Sequence, residues 1–267
     1  MSDRSQRTVI TEPSAEVGAL PACPVCGAHC GLLGVVDFNK SCEEQRGLVL
    51  PRANIPVRYV VCSGCGFCFA PDICAWPPEE FERKIYNDSY AQIDPDYVDA
   101  RPRNNVSVMK AIFRSPGQSV RHLDYGGGNG MLSRLLREAG WNSVSYDPLS
   151  DRNTDPAGLG RFDLISAFEV FEHVPDVQGL MRDLRALLVE DGMVVFSTMT
   201  SDGEIHPQRP LTWWYASPRN GHISLFSSAS LDILGQQSGF RHGSMNSSLH
   251  LFFKTIPAWA GHMRAAG

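Results

Sequence analysis

Leu123-Asp124-Tyr125-Gly126-Gly127-Gly128-Asn129-Gly130 is the stretch on which the fold of this chain turns. A short β-like run, Ser119 to Leu123, leads into it, and a helical pattern opens near Met131. An acidic residue at a strand end, with glycines two, four and six positions on, builds a tight strand-to-helix turn. Glycine tolerates positive φ and lets a ligand approach bare backbone. The helix N-terminus then offers N–H groups to an anionic group. Asp124 itself repels phosphate and attracts a cation or an amine, so the turn suits a positively charged ligand better than a pyrophosphate.

The next acidic strand end is Asn142-Ser143-Val144-Ser145-Tyr146-Asp147. It follows a helix with Met131, Leu132, Leu135, Leu136 and Ala139 on one face, closed by Gly140. Asp147 falls about twenty residues beyond the glycines, where a strand–turn–helix–strand unit places a ribose-binding carboxylate. The plain alternative is an Asp-Pro turn made with Pro148.

The third motif is Phe162-Asp163-Leu164-Ile165-Ser166-Ala167-Phe168-Glu169-Val170-Phe171-Glu172-His173-Val174-Pro175-Asp176. Its apolar run predicts a buried parallel strand, ending in the polar cluster Glu169, Glu172 and His173. With these three motifs the chain resembles the class I S-adenosylmethionine-dependent methyltransferases, in particular a bacterial small-molecule and sugar methyltransferase subgroup. The resemblance covers roughly Val120 to Phe240. It implies an α/β fold: a Rossmann-like sheet with helices on both faces and a C-terminal antiparallel hairpin. It implies that Asp124, Gly126, Gly128 and Gly130 contact the methionine portion of S-adenosylmethionine, that Asp147 holds the ribose, and that Glu169 lies beside cofactor and substrate. The chain departs from the pattern in one place. Only fourteen residues separate Asp147 from Phe162, too few for a full second helix and third strand, so adenine contacts are not assigned.

The N-terminal part carries Cys23-Pro24-Val25-Cys26-Gly27 and Cys62-Ser63-Gly64-Cys65-Gly66. Two thiolates three positions apart on a tight turn chelate one ion, and two such pairs complete a tetrahedral site. Four thiolates leave no open coordination position, so zinc at Cys23, Cys26, Cys62 and Cys65 is structural. The intervening residues hold strand-like runs, Leu32 to Phe38, Leu48 to Leu50 and Val57 to Val61, as in a zinc ribbon. Cys30, Cys42, Cys68 and Cys74 read as isolated thiols, with Cys68 the one substitute ligand by spacing.

The 267 residues are 43% hydrophobic and 20% charged, with a formal net charge of −5. All of that charge falls before Pro102, and the remainder is neutral. Neither part is basic, which argues against a nucleic-acid substrate. There is no apolar run of membrane-crossing length and no hydrophobic leader. Eight cysteines in such a chain point to thiols or metal, and the expected location is cytoplasmic. The domain plan is a disordered tail over 1–17, a zinc-ribbon module over 18–76, a helical lid or connector over 77–118 and the methyltransferase domain over 119–267.

Within the connector, Pro77 opens a helix to about Tyr86, and Val106, Met109, Ile112 and Phe113 mark another. The resembled family uses this segment as a lid. Tyr86 and Tyr90 then either close over the sulfonium by cation–π contact or fasten the ribbon to the main domain. Further on, Asp176 to Glu190 reads as an amphipathic helix, and Asp191-Gly192 turns into the strand Met193 to Thr198. The long segment Met199 to Gly221 carries Trp213-Trp214-Tyr215, either a substrate wall or a packed cover. A helix over Ser227 to Gly239 and a terminal strand from Leu249 complete the pattern.

Methyl transfer to a hydroxyl needs a base, and histidine suits it. His173, beyond the fourth strand with Glu169 or Glu172 to orient it, is one candidate. His222, on a turn read as exposed, is the other. The sequence thus predicts a methyltransferase for a small molecule or sugar precursor, by O-methylation with a histidine base. Carbon methylation of a sugar, RNA methylation and a non-catalytic adaptor are the alternatives. Oligomeric state is left open.

Overall fold

The computed structural model describes residues 20–114 and 116–266. The tail expected over 1–17 lies outside them. In chain order the strands are β1 (Cys30–Asp37), β2 (Pro56–Cys62), β3 (Cys68–Phe69), β4 (Arg121–Tyr125), β5 (Asn142–Tyr146), β6 (Phe162–Phe168), β7 (Leu188–Ser197), β8 (Ser224–Leu225), β9 (Arg241–Ser244) and β10 (Leu249–Phe253). They form one sheet of order β1-β2-β3-β8 and another of order β5-β4-β6-β7-β10-β9. The chain divides into two compact units. One comprises Met1–Pro95, Glu172–Gln178 and Met199–Ile233, and the other Asp96–Phe171, Gly179–Thr198 and Leu234–Gly267. Compactness therefore cuts across the linear segments 18–76, 77–118 and 119–267. The reason is strand pairing: β3 runs antiparallel to β8, so residues far down the chain complete the first sheet.

In the C-terminal unit β4 pairs in parallel with β5 and β6, and β6 with β7. β10 runs antiparallel to both β7 and β9, which is the expected closing hairpin. Between β5 and β6 there is only a 3-10 turn, Pro156–Leu159, among the described residues, so β5 is the sheet edge. This α/β architecture is the one anticipated, with the third strand omitted. Met109 and Phe113 from the helix Ala100–Phe113 pack with Leu132 and Leu136 from the helix Met131–Glu138. Trp141, Leu164, Phe168 and Val195 complete the cluster. Each fully buried side chain of this size stabilises by about 2 kcal/mol.

Two boundaries differ from expectation. The helix Val177–Leu187 stops before Glu190, and Leu188 already opposes Phe162 in the sheet. Met193 opposes Leu164, so Val189 to Gly192 bulges out where a turn was read. Leu48 to Leu50 is not a strand. It follows the 3-10 helix Cys42–Arg46, the Leu48 N–H bonds to Glu43 O at 3.1 Å, and Leu48 and Val49 face solvent.

In the N-terminal unit the long segment after β7 is core. Leu211, Trp213, Tyr215 and Ala216 are buried with Val36, Tyr59, Ile73 and Ile85. The substrate-wall reading of Trp213 and Tyr215 is thereby corrected to a packing role, while Trp214 is half-buried. What holds so irregular a segment is the buried Lys40. Its Nζ donates to Trp213 O (2.9 Å), Trp214 O (3.1 Å) and Ala216 O (2.7 Å). Burial pushes this ammonium down to about 8. Lys40→Met removes three charge-assisted donors, and the expected cost is about 2–4 kcal/mol. Denaturant unfolding checks this, and an unmoved midpoint would dismiss the staple.

Candidate functional site

The glycine turn and its flanking acids lie wholly in the C-terminal unit. β4 ends at Tyr125, and Gly126 and Gly128 adopt φ of +71° and +53°. A Cβ on Gly126 would sit 2.5 Å from Val170 Cγ2, and one on Gly128 would sit 2.6 Å from Tyr97 Oη. Only glycine fits both the conformation and the space. Asn129 secures the helix entry, its Oδ1 accepting the Met131 N–H at 3.1 Å and its Nδ2 donating to Val98 O at 3.0 Å. Asp124 is buried beneath the turn, and its Oδ1 accepts the Ser166 hydroxyl at 2.9 Å. Burial pushes its carboxyl up to about 7; the Ser166 hydrogen bond opposes the shift and the Asp147 charge adds to it.

Asp147 stands at the end of β5. Its Oδ2 accepts the Gly128 N–H at 3.0 Å. Its Oδ1 accepts the N–H groups of Leu149 (2.9 Å) and Ser150 (3.2 Å). The plain Asp-Pro turn is therefore present, and the same carboxylate is tied to the glycine turn. Each carboxylate oxygen has two lone pairs, so Oδ2 retains one for a hydroxyl. Glu169, after β6, has φ of +53°, a region costly for a residue with a Cβ. Ser197 at the end of β7 holds it there, accepting the Glu169 N–H at 2.8 Å and donating to Oε1 at 2.7 Å. An aromatic ring against Gly128 of the turn is Tyr97. Tyr86 and Tyr90 belong to the N-terminal unit, with rings 5.1 Å apart.

The N-terminal unit holds a second cluster. Glu172 is fully buried, its Oε1 takes a short hydrogen bond from the Tyr215 hydroxyl, and its backbone O accepts the Ile223 N–H at 2.8 Å. His173 Nδ1 lies 3.2 Å from Gly221 O, and His222 Nδ1 lies 2.9 Å from Tyr215 O. Carbonyls only accept, so both rings donate from Nδ1. The rings are 4.9 Å apart. Gly221, at φ +88°, permits this, because a Cβ there would lie 3.0 Å from both His173 Nδ1 and Tyr86 Oη. His222 is buried, not on an exposed turn. The 3-10 turn Pro218–Asn220 is itself buried, and Arg219 within it donates to Ile85 O at 3.1 Å. The carboxylate and the two imidazoles each offer one ligand atom within 4.8 Å of the others, a set able to share a proton or to hold a divalent cation.

The four thiols of Cys23, Cys26, Cys62 and Cys65 converge in the same unit, their sulfurs all within 4.8 Å. Cys23 Sγ is 3.6 Å from Cys65 Sγ, and Cys26 Sγ is 3.4 Å from Cys62 Sγ. A tetrahedron with Zn–S of about 2.3 Å has edges of about 3.8 Å, so the set fits zinc. The N–H groups of Gly64 and Cys65 point at Cys62 Sγ at 3.3 and 3.4 Å and stabilise sulfur charge. Cys68 is buried in β3 outside the cluster.

Sequence reasoning missed Ser166, Ser197 and Tyr97 as site partners, and it read Tyr215 as a substrate wall or packed cover without its bond to Glu172. The serines had a visible signal: each interrupts an otherwise apolar strand near its C-terminal end.

Known proteins resemble this chain in part of its sequence and in its fold. The sequence model described as "Methyltransferase domain" matches residues 92–242. The ubiquinone biosynthesis O-methyltransferase of Actinobacillus pleuropneumoniae serotype 7 (strain AP76) is 29% identical over 104 residues, covering 29% of this chain and 44% of the relative. That of Bradyrhizobium sp. (strain ORS 278) is 33% identical over 87 residues, 33% of this chain and 34% of the relative. The chain thus spans less than half the length of these curated relatives. Among solved structures, an O-methyltransferase family protein from Burkholderia thailandensis aligns with a TM-score of 0.46 at 16% identity, over 66% of this chain and 63% of that one. Magnesium protoporphyrin IX methyltransferase from Synechocystis PCC 6803 with bound SAH aligns at 0.42 and 17%, over 66% and 95%. With more than half its length matched, and with the sheet order and glycine turn described above, the chain belongs to the methyltransferase-domain family, as a class I S-adenosylmethionine-dependent methyltransferase carrying a zinc-ribbon-like cluster of four cysteines.

Proposed function

We propose that this chain methylates a hydroxyl of a small molecule or sugar precursor, with S-adenosylmethionine as donor. The observation that carries the reading is the bare-backbone turn between two carboxylates, Asp124 and Asp147, within the matched family segment. Asp124 would face the donor's ammonium and Asp147 its ribose hydroxyls, while Gly126, Gly128 and Gly130 admit the methionine portion against the backbone. Glu169, rigid on Ser197, would border the cofactor. Bound there, the cofactor supplies an electrophilic methyl group. The protein's own part is to align the acceptor and remove its proton, and the imidazole of His173 or His222 is the base. The name O-methyltransferase borne by the curated relatives supports oxygen as the acceptor atom.

A second reading has one specific support. Glu172, His173 and His222 would bind a divalent cation that acidifies the hydroxyl, in place of an imidazole base. One experiment serves both. The full chain is incubated with a donor deuterated at its methyl group and a metabolite extract, before and after removal of loosely held divalent ions. His173→Asn and His222→Asn are run alongside. A histidine base predicts a fall of about 10²–10⁴-fold in turnover for one variant, with donor affinity kept and no need for added metal. Turnover lost on metal removal and restored by magnesium or manganese selects the cation. A chain that binds the donor yet labels nothing would reject catalysis and leave the adaptor.

A further inference from the structure

A file of polar side chains runs through the C-terminal unit from its surface to Asp124, in a region that is otherwise apolar core. Arg137, exposed on the helix Met131–Glu138, places Nη1 2.9 Å from Ser133 Oγ. Ser133 and Ser143 have their hydroxyl oxygens 2.9 Å apart. Ser143 Oγ is 2.8 Å from His122 Nδ1, and His122 Nε2 is 3.0 Å from Ser166 Oγ. Ser166 then donates to Asp124 Oδ1. His122, Ser133 and Ser166 are fully buried, and Ser143 is 2% exposed. The ring of Trp141 closes over His122, edge-on at 5.9 Å.

The two ends fix the direction of every hydrogen bond in the file. A guanidinium only donates, and an ionised carboxylate only accepts. A neutral imidazole donates from one nitrogen and accepts at the other. Burial pushes the His122 ring down to about 3, which keeps it neutral. With Asp124 ionised, Ser166 must donate to it, His122 must donate from Nε2, and Ser143 must donate to Nδ1. The Ser143 hydroxyl, directed at Ser133 Oγ in the structure, rotates to Nδ1 in this state, and Ser133 takes over as donor to Ser143 while Arg137 donates to Ser133. No hydrogen is used twice and no oxygen is left with a conflict. A chain polarised in one sense strengthens each of its bonds.

We propose that Arg137, Ser133, Ser143, His122 and Ser166 form a positioning relay that holds Asp124 in its anionic form for a ligand ammonium. The relay rests on the reading of Asp124 as the contact for the donor's amine. It answers a physical problem, since burial and the Asp147 charge both push this carboxyl up, and the Ser166 hydrogen bond at the end of the relay opposes them. Asp147 beyond β5 opposes ionisation of Asp124 directly, and the relay would bring Arg137 to bear in its favour. His122 on its own strand is neutral, and β6 contributes the uncharged Ser166.

The test is calorimetric binding of S-adenosylhomocysteine, which keeps the ammonium, to the full chain from about pH 5.5 to about pH 8.5. A carboxyl raised by burial must lose its proton to receive the cation, so wild-type affinity should rise with pH and level off above about 7. Arg137→Met should move that midpoint upward and weaken binding at neutral pH by about three- to tenfold, with affinity recovered at the alkaline end. Arg137→Lys should restore much of it, and Ser166→Ala, which cuts the last link, should shift the midpoint the same way. A packing defect would lower affinity equally at every pH. Wild-type and Arg137→Met curves that superimpose, or a uniform loss without a shift, would overturn the relay while leaving the cofactor site intact. No heat from the wild-type chain at any pH would instead bring down the cofactor reading, and the relay with it.

Discussion

Cys62→Ser is expected to take the zinc content from one ion per chain to none and to unravel the N-terminal unit locally. Cys62 Sγ lies 3.4 Å from Cys26 Sγ and gathers two backbone N–H groups, so it anchors metal and knuckle together. In small zinc modules the metal supplies about 10–16 kcal/mol of apparent binding energy, which is folding energy. Here the unit also has an apolar core of its own, with Val36, Tyr59, Trp213 and Leu225 buried. The expected loss is therefore smaller, several kcal/mol, read as a lowered first transition in scanning calorimetry. The knuckle around Cys65 is tied to the chain after β8, because the Ser227 hydroxyl donates to Cys65 O. Loss of metal should then propagate to the β3–β8 pairing. Elemental analysis that finds no metal in the wild-type chain would remove the ribbon. Metal retained in the variant would remove Cys62 from the ligand set.

Asp147→Ala is expected to weaken S-adenosylmethionine binding by about 10- to 1000-fold, the range for losing one or two hydrogen bonds to a charged acceptor. The structure adds a second loss that the sequence did not disclose. The N–H groups of Gly128, Leu149 and Ser150 all donate to this carboxylate, so alanine also loosens the glycine turn. Asp147→Asn is the milder change, since its single amide oxygen can still accept from Leu149 and Ser150, while its NH₂ gives up the Gly128 N–H and the charge is gone. An asparagine variant close to wild type, with the alanine variant impaired, would assign Asp147 to turn geometry alone. Wild-type affinity in both would put the ribose elsewhere. Equilibrium binding of donor and spent product measures each case.

The elements that bear on these two residues were legible for different reasons. The glycine turn, Asp147 and the paired knuckles are short-range patterns in which spacing dictates geometry. The apolar run of β6 needed no partner to be recognised, because burial on both faces leaves a continuous hydrophobic stretch. The stop at Leu187 was less legible. Val189 and its neighbours read as helix by periodicity, yet pairing of Leu188 with Phe162 took them into the sheet. Leu48 to Leu50 shows the reverse, strand-like side chains with no strand beside them. His222 was read as exposed from its Gly-Asn surroundings. Lys40, distant in sequence, gathers the carbonyls of Trp213, Trp214 and Ala216 just before that turn, and Arg219 inside it reaches Ile85 O.

By itself the sequence determined the class of fold, the glycine turn with its two acids, the four thiols and the truncated link between β5 and β6. Each of these follows from local spacing, and local spacing survives without knowledge of neighbours. Tertiary structure alone decided which residues share a unit, that Trp213 and Tyr215 are core, that Glu172, His173 and His222 converge, and that Arg137 is linked to Asp124 through five hydrogen bonds. Those are long-range relations. Their partners are brought together by strand register and burial, which a linear pattern of residues does not encode.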